Sequence, residues 1–281
     1  SGDPSSQHHI RVCHGLMSAT VCPECISGAI DEGTPTGTCF EVGGVDCYFA
    51  KSATDGAPSV IIVADVFGYS LPNVRIVADK YAKKGLNVYV PDILKGDHIA
   101  FNKLDVLVDP SPSFFARMGQ TFWLVFGLAG VLLWFGRHKD GVTRPIIDGV
   151  IDDIKARHQD ARLGVIGYCW GGRHSVLLGA TDRVDCYVAA HPSGLNLKTD
   201  IHVVGRPGLF VLAEDDGAFN KAAVARAKEL IPSTVDTEWK TWSGVHHGFA
   251  VRGKQTDPEV AKKREEALEA SAAFLLRRLA G

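Results

Sequence analysis

Five short apolar runs set the fold: SVIIVAD at 59–65, LNVYVPD at 86–92, RLGVIGY at 162–168, VDCYVAA at 184–190 and GLFVLAE at 208–214. Each is apolar almost throughout rather than alternating, so each suits a strand buried on both faces, and stretches with helical spacing separate them. The expected architecture is a doubly wound α/β fold, a mostly parallel sheet with helices on both faces. Helices are predicted over 72–84, where Pro72 opens the segment and Gly85 follows it, and over 145–160, 171–180, 219–230 and 258–279. In the second of these, Ile147, Val150, Ile151 and Ile154 form one stripe suited to packing on a sheet. With 281 residues the chain is long enough for one such domain, placed at 41–281. Residues 1–40, polar and rich in Gly and Cys, read as an irregular arm packed on it.

The segment TFWLVFGLAGVLLWFG, 121–136, carries no charge, yet its sixteen residues fall short of the roughly 20 needed to cross a bilayer. No membrane association is expected. The segment reads instead as part of an apolar lid or insertion over 110–140, with Phe122, Trp123 and Phe126 offered to a substrate pocket and Trp134 and Phe135 adding to the apolar surface.

A formal net charge of −2 gives no basic surface for nucleic acid, so that partner is excluded. Seven cysteines, scattered and odd in number, do not resemble a secreted disulfide framework. The opening residues hold no apolar signal core, and a reducing, cytoplasmic location is expected. Cys22 and Cys25 form a C-x-x-C with Cys13 and His14 nearby, but a second pair of zinc-spaced ligands is missing, so neither a metal nor another cofactor is expected.

The stretch GVIGYCWGGRHS, 164–175, is the chemical signal. A predicted strand runs into a predicted helix through Cys169, with Gly167 and Gly171 two residues away on either side and Gly172 beyond: the arrangement of a nucleophile elbow with cysteine in place of serine. Such a turn lifts the side chain above the sheet and aims backbone N–H groups at a reacting carbonyl, which requires small neighbours. A thiolate there attacks an ester or lactone carbonyl without the strong base that a serine needs. Partners follow in the order acid, then base. Glu214, Asp215 and Asp216 end the run at 208–214, and His246 and His247 fall in a predicted loop; spacing alone does not choose between neighbours.

These residues resemble the dienelactone hydrolases, or carboxymethylenebutenolidases, and their fungal members in particular, within the α/β-hydrolase superfamily. The similarity runs from about Gly33 to the C-terminus: GTPTG at 33–37, DVFGYSLPNVRIVADKYAKKGLNVYVPD at 65–92, GYCWGG and HHGF. The resemblance implies Cys169 as nucleophile, His247 as base and Asp216 as the acid, with Ala213 where the family has glycine. It places the oxyanion hole at the amides of Trp170 and of Val66 or Phe67. Where bacterial members carry a glutamate that pairs with the resting thiol, this chain has the shorter Asp65. Arg75 and Arg173 are the candidate anchors for an anionic substrate. The implied activity is cofactor-independent hydrolysis of a small ester or lactone, more apolar than the dienelactone, by a monomer or homodimer. A lyase, isomerase or cyclisation step on the same scaffold is one alternative; a non-catalytic binding or membrane-associated protein is the other.

Overall fold

The computed structural model describes residues 28–99, 130, 133–158 and 162–280. An eight-stranded sheet in the order β1-β2-β4-β3-β5-β6-β7-β8 forms its centre. The strands are β1 (Thr38–Val42), β2 (Val45–Ala50), β3 (Ser59–Val63), β4 (Asn87–Pro91), β5 (Leu163–Tyr168), β6 (Cys186–Ala190), β7 (Gly208–Asp215) and β8 (Thr237–His246). β2 runs antiparallel to both of its neighbours, β1 and β4; β4, β3 and β5 to β8 are mutually parallel. This is the α/β-hydrolase arrangement, and each of the five predicted strands lies within it.

The helices are α1 (Pro72–Lys83), α2 (Asp140–Arg157), α3 (Trp170–Gly179), α4 (Lys221–Leu230), the single turn α5 (Phe249–Arg252) and α6 (Pro258–Leu279). Successive strand residues feed opposite faces, as a period of two demands. Ile61, Val63 and Val165 join Ile147, Val150, Ile151 and Ile154 of α2 in one core layer. Val60, Ile62 and Ile166 join Val74 and Val77 of α1 and Leu268 and Leu275 of α6 in the other. Helix α2 begins at Asp140 rather than Pro145, which sits inside it, but the predicted stripe is its buried face. At the far end of the chain, the Asp257 carboxylate caps α6 by accepting from the amides of Glu259 and Val260.

Three strands go beyond the sequence expectation. A β1–β2 hairpin adds two, turning through Gly43 and Gly44 at φ 59° and 79°, the left-handed pair that a two-residue hairpin turn needs. It begins at Thr38, so the end of the segment read as an irregular arm is strand. The third, β8, is the sheet edge and carries the segment expected to be a loop.

Residues 1–27 of the expected arm and most of the expected lid, including Phe122, Trp123 and Phe126, lie outside the described residues, as do Cys13, His14, Cys22 and Cys25. Cys39 on β1 is disulfide-bonded. Cys47, Cys169 and Cys186 form no disulfide and are buried. Among the described residues no helix is long and apolar enough to cross a membrane.

Candidate active site

Cys169 follows β5 directly and precedes the first residue of α3, with φ 53° and ψ −114°. That conformation is strained for a residue with a Cβ and persists only where the surroundings hold it. Here the Cys169 amide donates to the Ala190 carbonyl at 3.1 Å, and the Cys169 carbonyl accepts from Gly172 at 2.9 Å and Ser193 at 3.0 Å. The flanking glycines allow the close approach. A Cβ on Gly167 would fall 1.9 Å from the Gly171 carbonyl oxygen, and one on Gly171 would fall 2.1 Å from that of Val63. At the start of α3, the Trp170 N–H belongs to the first turn, which has no acceptor within its own helix.

His247 comes just after β8, where Gly248 at φ 86° turns the chain into α5. Its Nδ1 lies 3.0 Å and 2.9 Å from the two carboxylate oxygens of Asp216. Because a carboxylate can only accept, Nδ1 carries the proton and Nε2 is the ring nitrogen left for the thiol. Asp216 is itself fixed, since Oδ1 also accepts from the amides of Ala218 and Phe219 at 2.8 Å and 3.1 Å. Burial opposes a charge on His247, but the nearby Cys169 thiolate and the Asp216 hydrogen bond outweigh it and raise the imidazole pKa to about 10. The side chains of His247 and Asp216 are 0% and 2% exposed. Their neighbours His246 and Asp215 pair with each other at 3.1 Å on the surface, 72% and 78% exposed. The two adjacent His–Asp pairs thus have opposite environments, and the buried one is the pair the resemblance selects.

Asp65, just beyond β3, is held on both oxygens. Oδ2 accepts from Arg252 Nε at 2.7 Å, with both side chains buried, and Oδ1 accepts from the Phe67 amide at 3.0 Å. The Arg252 guanidinium also lies over the Phe67 ring, 4.8 Å from its centre. Burial pushes the Asp65 carboxyl up, opposed by Arg252 and reinforced by the charge of Cys169. Asp65 therefore faces the thiol electrostatically while its hydrogen bonds are directed to Arg252 and Phe67. With the Phe67 amide engaged in this way, Val66 is the amide of that loop that remains a candidate for an oxyanion hole.

The two candidate anchors are also engaged. Arg173 makes two bonds to Asp140, at 2.6 Å and 2.9 Å, and a third to Asp200 at 2.8 Å. Arg75 is buried between the rings of Tyr69 and Tyr48 and donates Nε to the Tyr69 carbonyl. Beside the elbow, Trp134 and Trp170 meet edge to face at 5.7 Å, and Trp170 meets His174 at 4.2 Å. Trp134 is thereby the described part of the apolar segment that reaches the site; Leu133 and Phe135 are exposed.

Three further residues belong here. Arg252 pairs with Asp65 across 187 positions. His191, fully buried at φ 36°, packs its ring 5.0 Å from that of His247. Burial, followed by the charge on His247, drives its pKa far down, which keeps it neutral beside the charged His247 ring. Ser193 places its hydroxyl oxygen 3.4 Å from the Cys169 sulfur. The signal that could have pointed to the last two is the HPS triplet following the run at 184–190.

The elbow cysteine and the buried His–Asp pair both sit beyond the carboxyl ends of parallel strands, the placement that an α/β-hydrolase fold gives to side chains above its sheet. The chain belongs to the dienelactone hydrolase family, whose sequence profile matches residues 45–279. It is 28% identical to the Hydrolase tropI of Talaromyces stipitatus over 242 residues, covering 84% of this chain and 88% of that one. It is 29% identical to the Dienlactone hydrolase 1 of Gibberella moniliformis, over 83% and 85% of the two chains. The human carboxymethylenebutenolidase homolog is 26% identical, over 83% and 87%. Among solved structures, dienelactone hydrolase from Anabaena variabilis superposes with a TM-score of 0.56 at 16% identity, over 87% of this chain and 97% of that one. These relatives make the protein a hydrolase acting on carboxylic ester or lactone bonds.

Proposed function

We propose that the chain hydrolyses its ester or lactone through a Cys169–His247–Asp216 triad. The observation that carries this reading is the buried His247–Asp216 pair, protonated on Nδ1 and electrostatically coupled to a thiol on a strained elbow. The Cys169 thiolate attacks the carbonyl carbon, and the tetrahedral oxyanion is held by the Trp170 and Val66 amides. As the intermediate collapses, the C–O bond breaks and Nε2 of the His247 imidazolium gives its proton to the leaving oxygen. His247 then takes a proton from water, which attacks the thioester and releases the acid and the thiolate. Asp216 holds the imidazole tautomer and orientation throughout.

A substrate more apolar than a dicarboxylate lactone fits the Trp134–Trp170 wall and the engagement of Arg75 and Arg173 in contacts within the protein. The test is hydrolysis of a panel of aryl esters and unsaturated lactones, the dienelactone included, by the wild type, Cys169→Ala and His247→Ala. Turnover lost by at least about 1,000-fold in both variants is the expected result. Turnover retained by Cys169→Ala would remove the thiol from the mechanism, and a wild type inert across the panel would turn attention to a lyase or isomerase reaction.

A further inference from the structure

We propose that the Ser193 hydroxyl acts directly on the reacting sulfur, as a hydrogen-bond donor that stabilises the Cys169 thiolate and sets the pH at which it forms. This rests on the reading of Cys169 as nucleophile. The two atoms are 3.4 Å apart, within hydrogen-bonding range for sulfur. Between a thiol and a hydroxyl either partner can donate. Once the sulfur is a thiolate it has no hydrogen, and only the serine can donate. Hydrogen bonds to an ion are stronger than those between neutral groups, so the contact favours thiolate over thiol.

The backbone fixes this placement without help from the serine side chain. The Ser193 amide donates to the Cys169 carbonyl at 3.0 Å, tying the two residues together directly. Two positions earlier, the His191 amide donates to the Val211 carbonyl at 2.7 Å, which anchors the segment to β7. Between them Pro192 sits against the start of α3, where a Cβ on Gly172 would lie only 2.8 Å from the Pro192 Cα. The third glycine of the elbow therefore has a purpose beyond the turn, since it admits the segment that brings Ser193 to the sulfur. During attack the sulfur's negative charge passes to the carbonyl oxygen, and the hydrogen bond weakens as the C–S bond forms. Ser193 thus raises the thiolate fraction while slightly lowering the reactivity of each thiolate.

That division gives the test a signature that loss of packing would not produce. Wild type, Ser193→Ala and Ser193→Thr are alkylated with iodoacetamide over a range of pH, and labelling is followed on the peptide containing Cys169 to separate it from Cys47 and Cys186. Ser193 is half-buried and its backbone bond does not depend on its side chain; thermal melting checks that each variant remains folded. In Ser193→Ala the midpoint should rise by about one pH unit, with rates roughly tenfold lower below the midpoint and equal or slightly higher above it. Ser193→Thr should restore the wild-type midpoint. A Ser193→Ala profile that superimposes on the wild-type profile without a shift overturns the role of Ser193 and leaves the triad standing, and a threonine variant that behaves like alanine overturns it as well. A wild-type midpoint near that of a free thiol, roughly 8.5, overturns the proposal together with the nucleophile reading.

Discussion

Replacing Asp65 by Asn tests whether the Asp65–Arg252 pair is an electrostatic unit. Both partners are buried, 3% and 0% exposed at the side chain, with Nε donating to Oδ2 at 2.7 Å. An asparagine can still accept from the Phe67 amide but leaves the Arg252 guanidinium without its charged partner. Removing one member of a buried ion pair typically costs ~3–5 kcal/mol, mostly as the desolvation of the charge left behind. Arg252→Met leaves the carboxylate instead, and protonation limits its cost, since burial already pushes the Asp65 pKa up. The double variant removes both charges, so its cost should fall below the sum of the singles by about 2 kcal/mol or more. Urea unfolding of all four proteins measures this as a double-mutant cycle. Single variants within about 1 kcal/mol of wild type, or strictly additive costs, would refute the reasoning. Chemistry at the thiol supplies an independent check. Because the Asp65 charge disfavours a thiolate nearby, Asp65→Asn should lower the pH midpoint of Cys169 alkylation, the opposite direction from Ser193→Ala.

Gly171→Ala drives a Cβ to 2.1 Å from the backbone oxygen of Val63, an atom that cannot swing aside. The elbow should lose ~2–3 kcal/mol of stability, about 4–12 °C in Tm, and most of its activity; a melting temperature equal to the wild type's would contradict the packing described. His174 is buried against Trp170, and burial lowers its pKa to about 4. Between pH 6.5 and 4 the unfolded chain binds a proton there that the folded chain does not, so stability falls as pH drops through that window and levels off below it. His174→Phe should flatten the loss, by up to about 3 kcal/mol, in unfolding free energies measured from pH 7 to pH 4; equal slopes for the two proteins would exclude His174 as the source.

The parallel core was legible because its strands are buried on both faces, and burial on both faces leaves a continuous apolar run that no surface element mimics. β8 left no such mark. Its Glu238, Lys240 and Thr241 belong to a half-covered edge, where charge guards against pairing with another chain. The β1–β2 hairpin did carry a local signal in Gly43-Gly44, whose left-handed pair is a hairpin turn in sequence form. Helix α2 runs five residues ahead of Pro145, the position where a proline would ordinarily mark a helix start. At the site, the elbow was readable because its constraints are local: Gly167, Gly171 and Gly172 are needed by atoms within a few ångströms of Cys169. The choice between His246 and His247 was not readable from spacing, because adjacent residues at the end of a strand point to opposite sides and either assignment of sides satisfies the sequence. Arg252 and Asp65 meet only through the closed fold, and nothing near either in the chain announces the other.

The mounting of the proposed base has a further consequence. Cys169 sits at the end of an interior strand, whereas His247 sits at the end of β8, which has a neighbour on one side only. Edge elements open at lower free energy than the whole domain unfolds. Fraying of β8 would therefore carry the imidazole away from the sulfur while the other seven strands remained assembled. The proposed Cys169–His247 pairing is thus less durable than the fold that supports it, and heat should silence the site before it melts the core.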